Sequence, residues 1–123
     1  MERSKDRPST RQKKSILLKE IADYVDTHLT EKLTLKVISA QVGVSVSTVT
    51  QLFQKKASTT FHEFVTQRRL EMAKKLIHDG VPLEQVGKEV GYRDHSTFYR
   101  AFCRYSGCSP REYRTKMISE ENI

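Results

Sequence analysis

Long apolar runs are missing from this sequence. No stretch approaches the ~18 consecutive apolar residues that a membrane-spanning helix needs, and residues 1–8 are charged throughout, unlike a secretory leader. A cytoplasmic location is therefore expected. Proline and glycine are scarce, at 3 and 5 residues of 123, so little in the backbone interrupts helices. No segment alternates apolar and polar residues for long enough to argue a sheet. Cysteine is scarcer still. Cys103 and Cys108 have no His- or Cys-rich neighbourhood, which speaks against a zinc site. They read as two reduced thiols, a redox switch being the alternative. His28, His62 and His78 share no spacing that completes a ligand set, so neither metal nor cofactor is expected. No Ser/His/Asp or Cys/His set, phosphate-cradling glycine loop or pair of carboxylates in a pocket context can be assembled. An enzyme is not expected.

What is present is positive charge: 22 Lys+Arg against 15 Asp+Glu, a net +7. Such an excess suits a polyanionic partner, with plain solubility charge as the simpler reading. The length is near that of one domain (~100–150 residues). It allows a modest core or two small ones, not a large catalytic cavity with a separate lid.

Helical periodicity organises the rest. Residues 1–14 are polar and basic without a pattern and read as a flexible tail. From Ser15, the residues Leu17, Ile21, Tyr24, Val25 and Leu29 recur at three-to-four spacing, as on one face of a helix. Thr34 is placed to cap a short helix carrying Leu35, Ile38 and Val42, with Gly43 where a left-handed terminator is wanted. Ser45 then caps a helix that turns Val49, Leu52 and Phe53 inward. A long helix over about Thr59–His78 carries Phe61, Phe64, Val65, Leu70, Ala73, Leu76 and Ile77, and Asp79-Gly80 ends it. Pro82 suits the first turn of a helix bearing Leu83, Val86 and Val90, which stops at Gly91. Asp94 caps another with Phe98 and Phe102 inward. Ser109-Pro110-Arg111-Glu112 has the order of a capping box.

Part of this order occurs twice. Laid over residues 81–113, residues 33–64 match: Leu35, Ile38, Val42 and Gly43 fall on Leu83, Val86, Val90 and Gly91. One residue is inserted in the second turn. Ser45, Val49 and Phe53 then fall on Asp94, Phe98 and Phe102, and Phe64 on Tyr113. Each copy is a short helix, a glycine turn, a capped second helix and a third apolar anchor. A helix-turn-helix needs this pattern, because the inward face fixes a steep crossing angle and the outward face stays polar to enter a major groove. The expected fold is all-α, with about seven helices in two helix-turn-helix subdomains (15–58 and 80–118). A linker helix over 59–79 joins them, and 119–123 form a tail. Two helical hairpins packed as a protein-interaction module without DNA binding are the alternative.

From Gly91 to Arg114 the chain reads Gly-Tyr-Arg-Asp-His-Ser-Thr-Phe-Tyr-Arg-Ala-Phe-Cys-Arg-Tyr-Ser-Gly-Cys-Ser-Pro-Arg-Glu-Tyr-Arg. This resembles the C-terminal signature of AraC-type transcription regulators, and Phe64 through Ala73 resembles that family's linker helix. The resemblance covers about residues 16–116. It implies a sequence-specific, double-stranded DNA-binding regulator, cytoplasmic and nucleoid-associated. One chain would carry two recognition helices into major-groove segments ~10–10.5 bp apart, as a monomer on an asymmetric site. It further implies activation through contact with RNA polymerase; repression stays open. So does the choice between a stand-alone regulator and the output half of a longer one. Some DNA-repair methyltransferases carry such units, but neither cysteine here has acid–base surroundings for that chemistry.

In the first recognition helix, Ser47, Thr50 and Gln51 occupy the positions that face base edges in the family. Gln51 can bond adenine at two points, and Thr50 can offer its methyl to thymine. In the second, Phe98 and Phe102 inward leave His95, Ser96, Tyr99 and Arg100 outward. The planar fork of Arg100 matches guanine O6 and N7, with a phosphate as its other possible partner. Ser45, Thr48, Lys55, Lys56, Arg104, Ser109 and Arg111 are candidate phosphate contacts, the two capped starts through backbone N–H groups. The resemblance assigns Arg69 to bracing the fold against an acidic residue, an Arg68-Arg69 phosphate clamp being the alternative.

Overall fold

The computed structural model describes residues 10–121, and among them the chain is helical without a strand. Seven helices follow in order: α1 (Thr10–Thr27), α2 (Leu35–Val42), α3 (Val46–Leu52), α4 (Phe61–His78), α5 (Leu83–Glu89), α6 (His95–Ser106) and α7 (Pro110–Glu121). No helix among the described residues is long and apolar enough to cross a membrane.

Side chains fix where the helices start. Thr34, Ser45 and Asp94 accept the N–H of Val37, Thr48 and Thr97 at 3.1, 3.1 and 2.8 Å, each satisfying a donor that the first turn leaves unpaired. α4 and α7 open with reciprocal boxes. Thr60 accepts from Glu63 N–H at 3.0 Å while Glu63 accepts from Thr60 N–H at 3.2 Å. Ser109 and Glu112 do the same at 3.1 and 2.8 Å. Gly43 ends α2 at φ +75°, with its N–H on Ser39 O.

Several boundaries differ from the sequence expectation. α1 begins at Thr10, so residues 10–14 are helical rather than tail; the rest of the expected tail lies outside the described residues. Lys13 and Lys14 are good helix formers pointing to solvent. With no core to face there, they leave no apolar period to read. At the other end α7 runs to Glu121, whose carboxylate meets His78 across to the end of α4, so 119–121 are helical too. Pro82 is the residue before α5 rather than its first turn, with φ −54° and ψ 133°. Finally, α3 is prolonged by a π-helical turn, Phe53–Ala57, closed by Ser58 at φ +52°. The wider turn carries the ring of Phe53 onto Phe61 and Phe64, at 5.6 and 5.0 Å between centroids.

Two apolar cores lie along the chain. Ile21, Val25, Leu29, Ile38, Val49, Leu52, Phe53, Phe61 and Val65 form the first. Leu70, Ala73, Ile77, Val86, Val90, Phe98 and Phe102 form the second, and Met72 packs against both. α4 belongs to both. At 3.6 residues per turn, the face made by Phe61 and Val65 is rotated by roughly 130° about the helix axis from the face made by Leu70, Ala73 and Ile77. Its first half thus closes one unit and its second half opens the next. The repeat therefore reaches further back than the helix-turn-helix pairs. The alignment that sets Leu35 over Leu83 also sets Val25 over Ala73 and Leu29 over Ile77, so the end of α4 does for the second unit what the end of α1 does for the first.

Arginines tie each unit shut. Arg68 forms a two-point ion pair with Asp26 of α1, which raises its pKa, the hydrogen bond contributing most. Among the described residues Arg69 pairs with no acid, contrary to the expectation. Its Nε donates to Leu29 O at 3.1 Å and its Nη2 to Glu31 O at 3.0 Å, covering carbonyls left open past the end of α1. Arg114 does likewise at the end of α4, donating to Ile77 O (3.1 Å), which lies in the last turn and is also bonded by Gly80 N–H, and to Val81 O beyond it.

Gly91 sits against this arrangement at φ +104°. A Cβ there would lie 2.0 Å from Leu29 O and 2.9 Å from Arg69 Nε, whereas a Cβ on Gly43 would meet nothing within 4 Å. Gly43→Ala should therefore cost about 1–2 kcal/mol, the left-handed penalty alone. Gly91→Ala should cost clearly more, because backbone must move as well; urea unfolding of the two variants side by side measures the difference.

Acid should loosen the helix starts. Hydrogen bonds from backbone N–H groups, first among the causes, hold Glu63, Asp94 and Glu112 below the ordinary carboxylate range. A carboxyl depressed in the folded state stabilises above its unfolded pKa, and that contribution fades as pH falls through the folded value. Thermal melting followed from neutral pH to below about 4 should show a falling midpoint. The fall should be shallower in a Glu63→Gln/Glu112→Gln variant.

Candidate nucleic-acid interface

α3 and α6 each follow a tight turn from a short helix, and each turns its apolar side into its own core. In α3, Val49 and Leu52 are buried; in α6, Phe98 and Phe102 are fully buried. The rings of Phe98 and Phe102 pack tilted with centroids 5.8 Å apart, and Tyr113 of α7 closes on Phe102 at 5.6 Å, as Phe64 closes on Phe53 in the first unit. The inward faces are thus locked by aromatic packing, and what remains on each helix is directed outward.

Most of the expected reading residues lie on those outward faces. Ser47, Gln51, Lys55 and Lys56 are exposed along α3 and its π-helical extension. His95, Ser96, Tyr99 and Arg100 are exposed along α6, Tyr99 at 43%. The His95 ring lies 6.1 Å from that of Tyr99, so the start of α6 carries a small aromatic step beside Arg100. Arg100 makes no hydrogen bond or ion pair with the described residues; its charge acts on Asp94, a minor cause of that carboxyl's lowered pKa. Lys55, Lys56, Arg104 and Arg111 are unpaired in the same sense. The contrast with Arg68, Arg69 and Arg114 is the main electrostatic feature. Arg68, Arg69 and Arg114, which lie between elements, are bonded to the protein, while the cations along α3, its π-helical extension and α6 have no ion pair with the described residues.

Three expected residues are placed differently. Thr50 is half-buried and lines a groove of about 430 Å³ beside Leu33, Leu35 and Phe61. Arg104 lines another groove of about 500 Å³ between α4 and α6, with His62, Gln67 and Tyr105. Ser109 is 7% exposed, and its hydroxyl and N–H are both taken up with Glu112. Its N–H, the group expected to meet a phosphate, is given to Glu112 in the capping box that starts α7, while its hydroxyl accepts from Glu112 N–H. The hydroxyls of Ser45 and Thr48 lie 2.9 Å apart at the start of α3, so they act as a pair there.

Sequence reasoning missed one residue of this surface. Lys14, on the first turns of α1, lies across a small cleft of about 70 Å³ from Thr48, Gln51 and Lys55. Its signal was hidden because those turns carry no apolar residue with which to mark the helix. No group of three or more metal-ligating side chains occurs among the described residues, and Cys103 and Cys108 are free and half-buried.

The geometry defines a class: a tandem helix-turn-helix module with two outward helices and a shared central helix. A helix-turn-helix domain model matches residues 38–116. The chain is 34% identical over 103 residues to the uncharacterized HTH-type transcriptional regulator YdiP of Escherichia coli, covering 83% of this chain and 34% of YdiP. Its fold is similar to that of an AraC-type DNA-binding domain-containing regulator from Chromobacterium violaceum (TM-score 0.78, 23% identity, 83% of this chain and 92% of that one). It is also similar to the DNA-binding domain of the transcriptional factor AdpA, solved with a target DNA (TM-score 0.76, 21% identity, 84% and 94%). The chain belongs to the AraC-type helix-turn-helix family of transcription regulators. It spans about a third of the length of the first curated relatives it matches.

Two substitutions separate reading from anchoring. Arg100→Ala should weaken binding to a cognate duplex by about 1–3 kcal/mol and relax preference at one position. Lys55→Ala should weaken cognate and scrambled duplexes alike. Competition binding on both duplexes distinguishes them, and equal losses for Arg100→Ala would assign that residue to the backbone.

Proposed function

We propose that the chain binds double-stranded DNA sequence-specifically as a transcription regulator, seating α3 and α6 in successive major-groove segments of one face. The observation that carries this reading is the division of its cations. Those between elements are bonded to carbonyls and carboxylates, whereas Lys55, Lys56, Arg100, Arg104 and Arg111 form no ion pair among the described residues. An unpaired cation on a polar helix face is available to phosphate or to a guanine edge.

Within that reading the roles divide by position. Ser47, Gln51, His95, Ser96, Tyr99 and Arg100 face bases, with half-buried Thr50 at the margin. Ser45, Thr48, Lys55, Lys56, Arg104 and Arg111 hold the backbone, and Lys14 extends this set onto α1. Two reading heads in one chain suit a monomer on an asymmetric site. Activation through RNA polymerase, a cytoplasmic location and the absence of catalysis complete the proposal. They rest on family character and on the lack of an assembled catalytic set.

Selection of duplexes from a random pool tests site length and asymmetry together; the expected product is one asymmetric site with two conserved blocks about one helical turn apart. A salt titration on that site should give a log–log slope of about −0.9 per phosphate neutralised, hence several units overall. Failure to enrich any duplex would favour a helical protein-interaction module instead.

A further inference from the structure

We propose that Arg69, acting with Gly91, fixes the separation and angle of the two reading helices, and so sets which spacing between half-sites the protein accepts. This rests on the DNA-binding reading above but assigns a role to residues outside the reading faces.

The case starts from where Arg69 lies on α4. At 100° per residue it falls between the two apolar faces of that helix, in the seam where the units meet. Its guanidinium is half-buried there, and desolvation lowers its pKa. Two of its nitrogens bond Leu29 O and Glu31 O of the first unit at 3.1 and 3.0 Å. Its Cζ stands 5.9 Å from the ring centroid of Tyr92, which follows Gly91 in the turn that aims α6. Gly91 itself comes so close to Leu29 O that no Cβ fits. The turn of the second unit is therefore set directly on the carbonyl end of the first, with one guanidinium bonded on one side and facing an aromatic ring on the other. α4 alone would leave the units free to twist by bending that helix. The bracket removes this freedom at a second point.

Lysine cannot replace this arginine. An ammonium lacks both the planar fork that meets two carbonyls and the flat face that lies over a ring. Arg114 supplies the comparison, since its bonds to Ile77 O and Val81 O stay within the second unit. If the bracket acts as argued, Arg69→Lys loosens the relation between units while Arg114→Lys does not.

The experiment measures the full chain and its two variants on a selected site and on the same site with one base pair inserted between blocks. One insertion rotates the second block by roughly 35° about the duplex. The unaltered protein should prefer the original spacing by about tenfold or more, a penalty on the order of one mismatched pair. Arg69→Lys should shrink that ratio at least about threefold, mainly by losing affinity for the original spacing. Arg114→Lys should keep the ratio even where it lowers the melting midpoint. An independent readout needs no DNA: nitroxide labels at Ser47→Cys and Ser96→Cys, in a Cys103→Ser/Cys108→Ser background. The distance distribution should be narrow with Arg69 and broad in Arg69→Lys. Equal distributions, or an unchanged spacing ratio in a folded Arg69→Lys protein, overturn the inference. A narrow distribution that broadens in the variant, in a protein that binds no duplex, supports the bracket and overturns the DNA-binding reading instead.

Discussion

The structure depends on how carbonyls at the ends of helices are answered. Every α-helix leaves its last carbonyls without partners, and a buried one is costly unless something donates to it. At the ends of α1 and α4 an arginine from a later helix supplies donors: Arg69 to Leu29 O and Glu31 O, and Arg114 to Val81 O and, beside Gly80 N–H, to Ile77 O. These bonds reach back some 33–40 residues along the chain. They close each helical unit on itself without a disulfide or a metal ion. In the first unit the answering arginine also touches the second, so closing the unit and orienting its neighbour become one event.

The double use of α4 follows from its register. Phe61 and Val65 face one way, and Leu70, Ala73 and Ile77 another, so a single helix serves as the last wall of one core and the first of the next. This is economical for a chain of 123 residues, since a short domain has little apolar surface to spare for an independent interface. It also ties the two outward helices to one shared helix. With the Arg69–Gly91 bracket as a second point of attachment, the two short polar faces proposed to read DNA are held in a fixed relation.

The two reading faces are not equivalent. α6 is a regular helix of 12 residues, ended by Gly107 in the left-handed region. α3 has 7 residues and widens into a π-helical turn that ends on Ser58, a non-glycine residue at φ +52°. The wide turn serves aromatic packing of Phe53 and re-aims Lys55 and Lys56 relative to a straight helix. On the proposed DNA-binding reading, small side chains at Ser47 and Thr50 and a long one at Lys14 suit this side more to holding the backbone than to reading bases.

Much of this was written in the sequence. The fold class, the helix starts at Thr34, Ser45, Asp94 and Ser109, and the inward residues Ile38, Val49, Val86, Phe98 and Phe102 all follow from local rules. A capping hydroxyl, a glycine terminator and a three-to-four spacing act within a few residues of one another. What the sequence could not decide were matters of partners far apart in the chain. The helical character of residues 10–14 has no apolar period to announce it, and the π-helical turn answers rings eight and eleven residues on. Whether Ser109 offers its N–H depends on Glu112 having turned back to take it, and whether Arg68 or Arg69 meets an acid depends on the rotation of α4 against α1. Arg69 and Asp26 carry charges that any reading can see. Only the packed structure brings Asp26 to Arg68, and sets Arg69 between two carbonyls and a tyrosine, because side-chain direction on a helix is fixed by its register and the register by both cores at once.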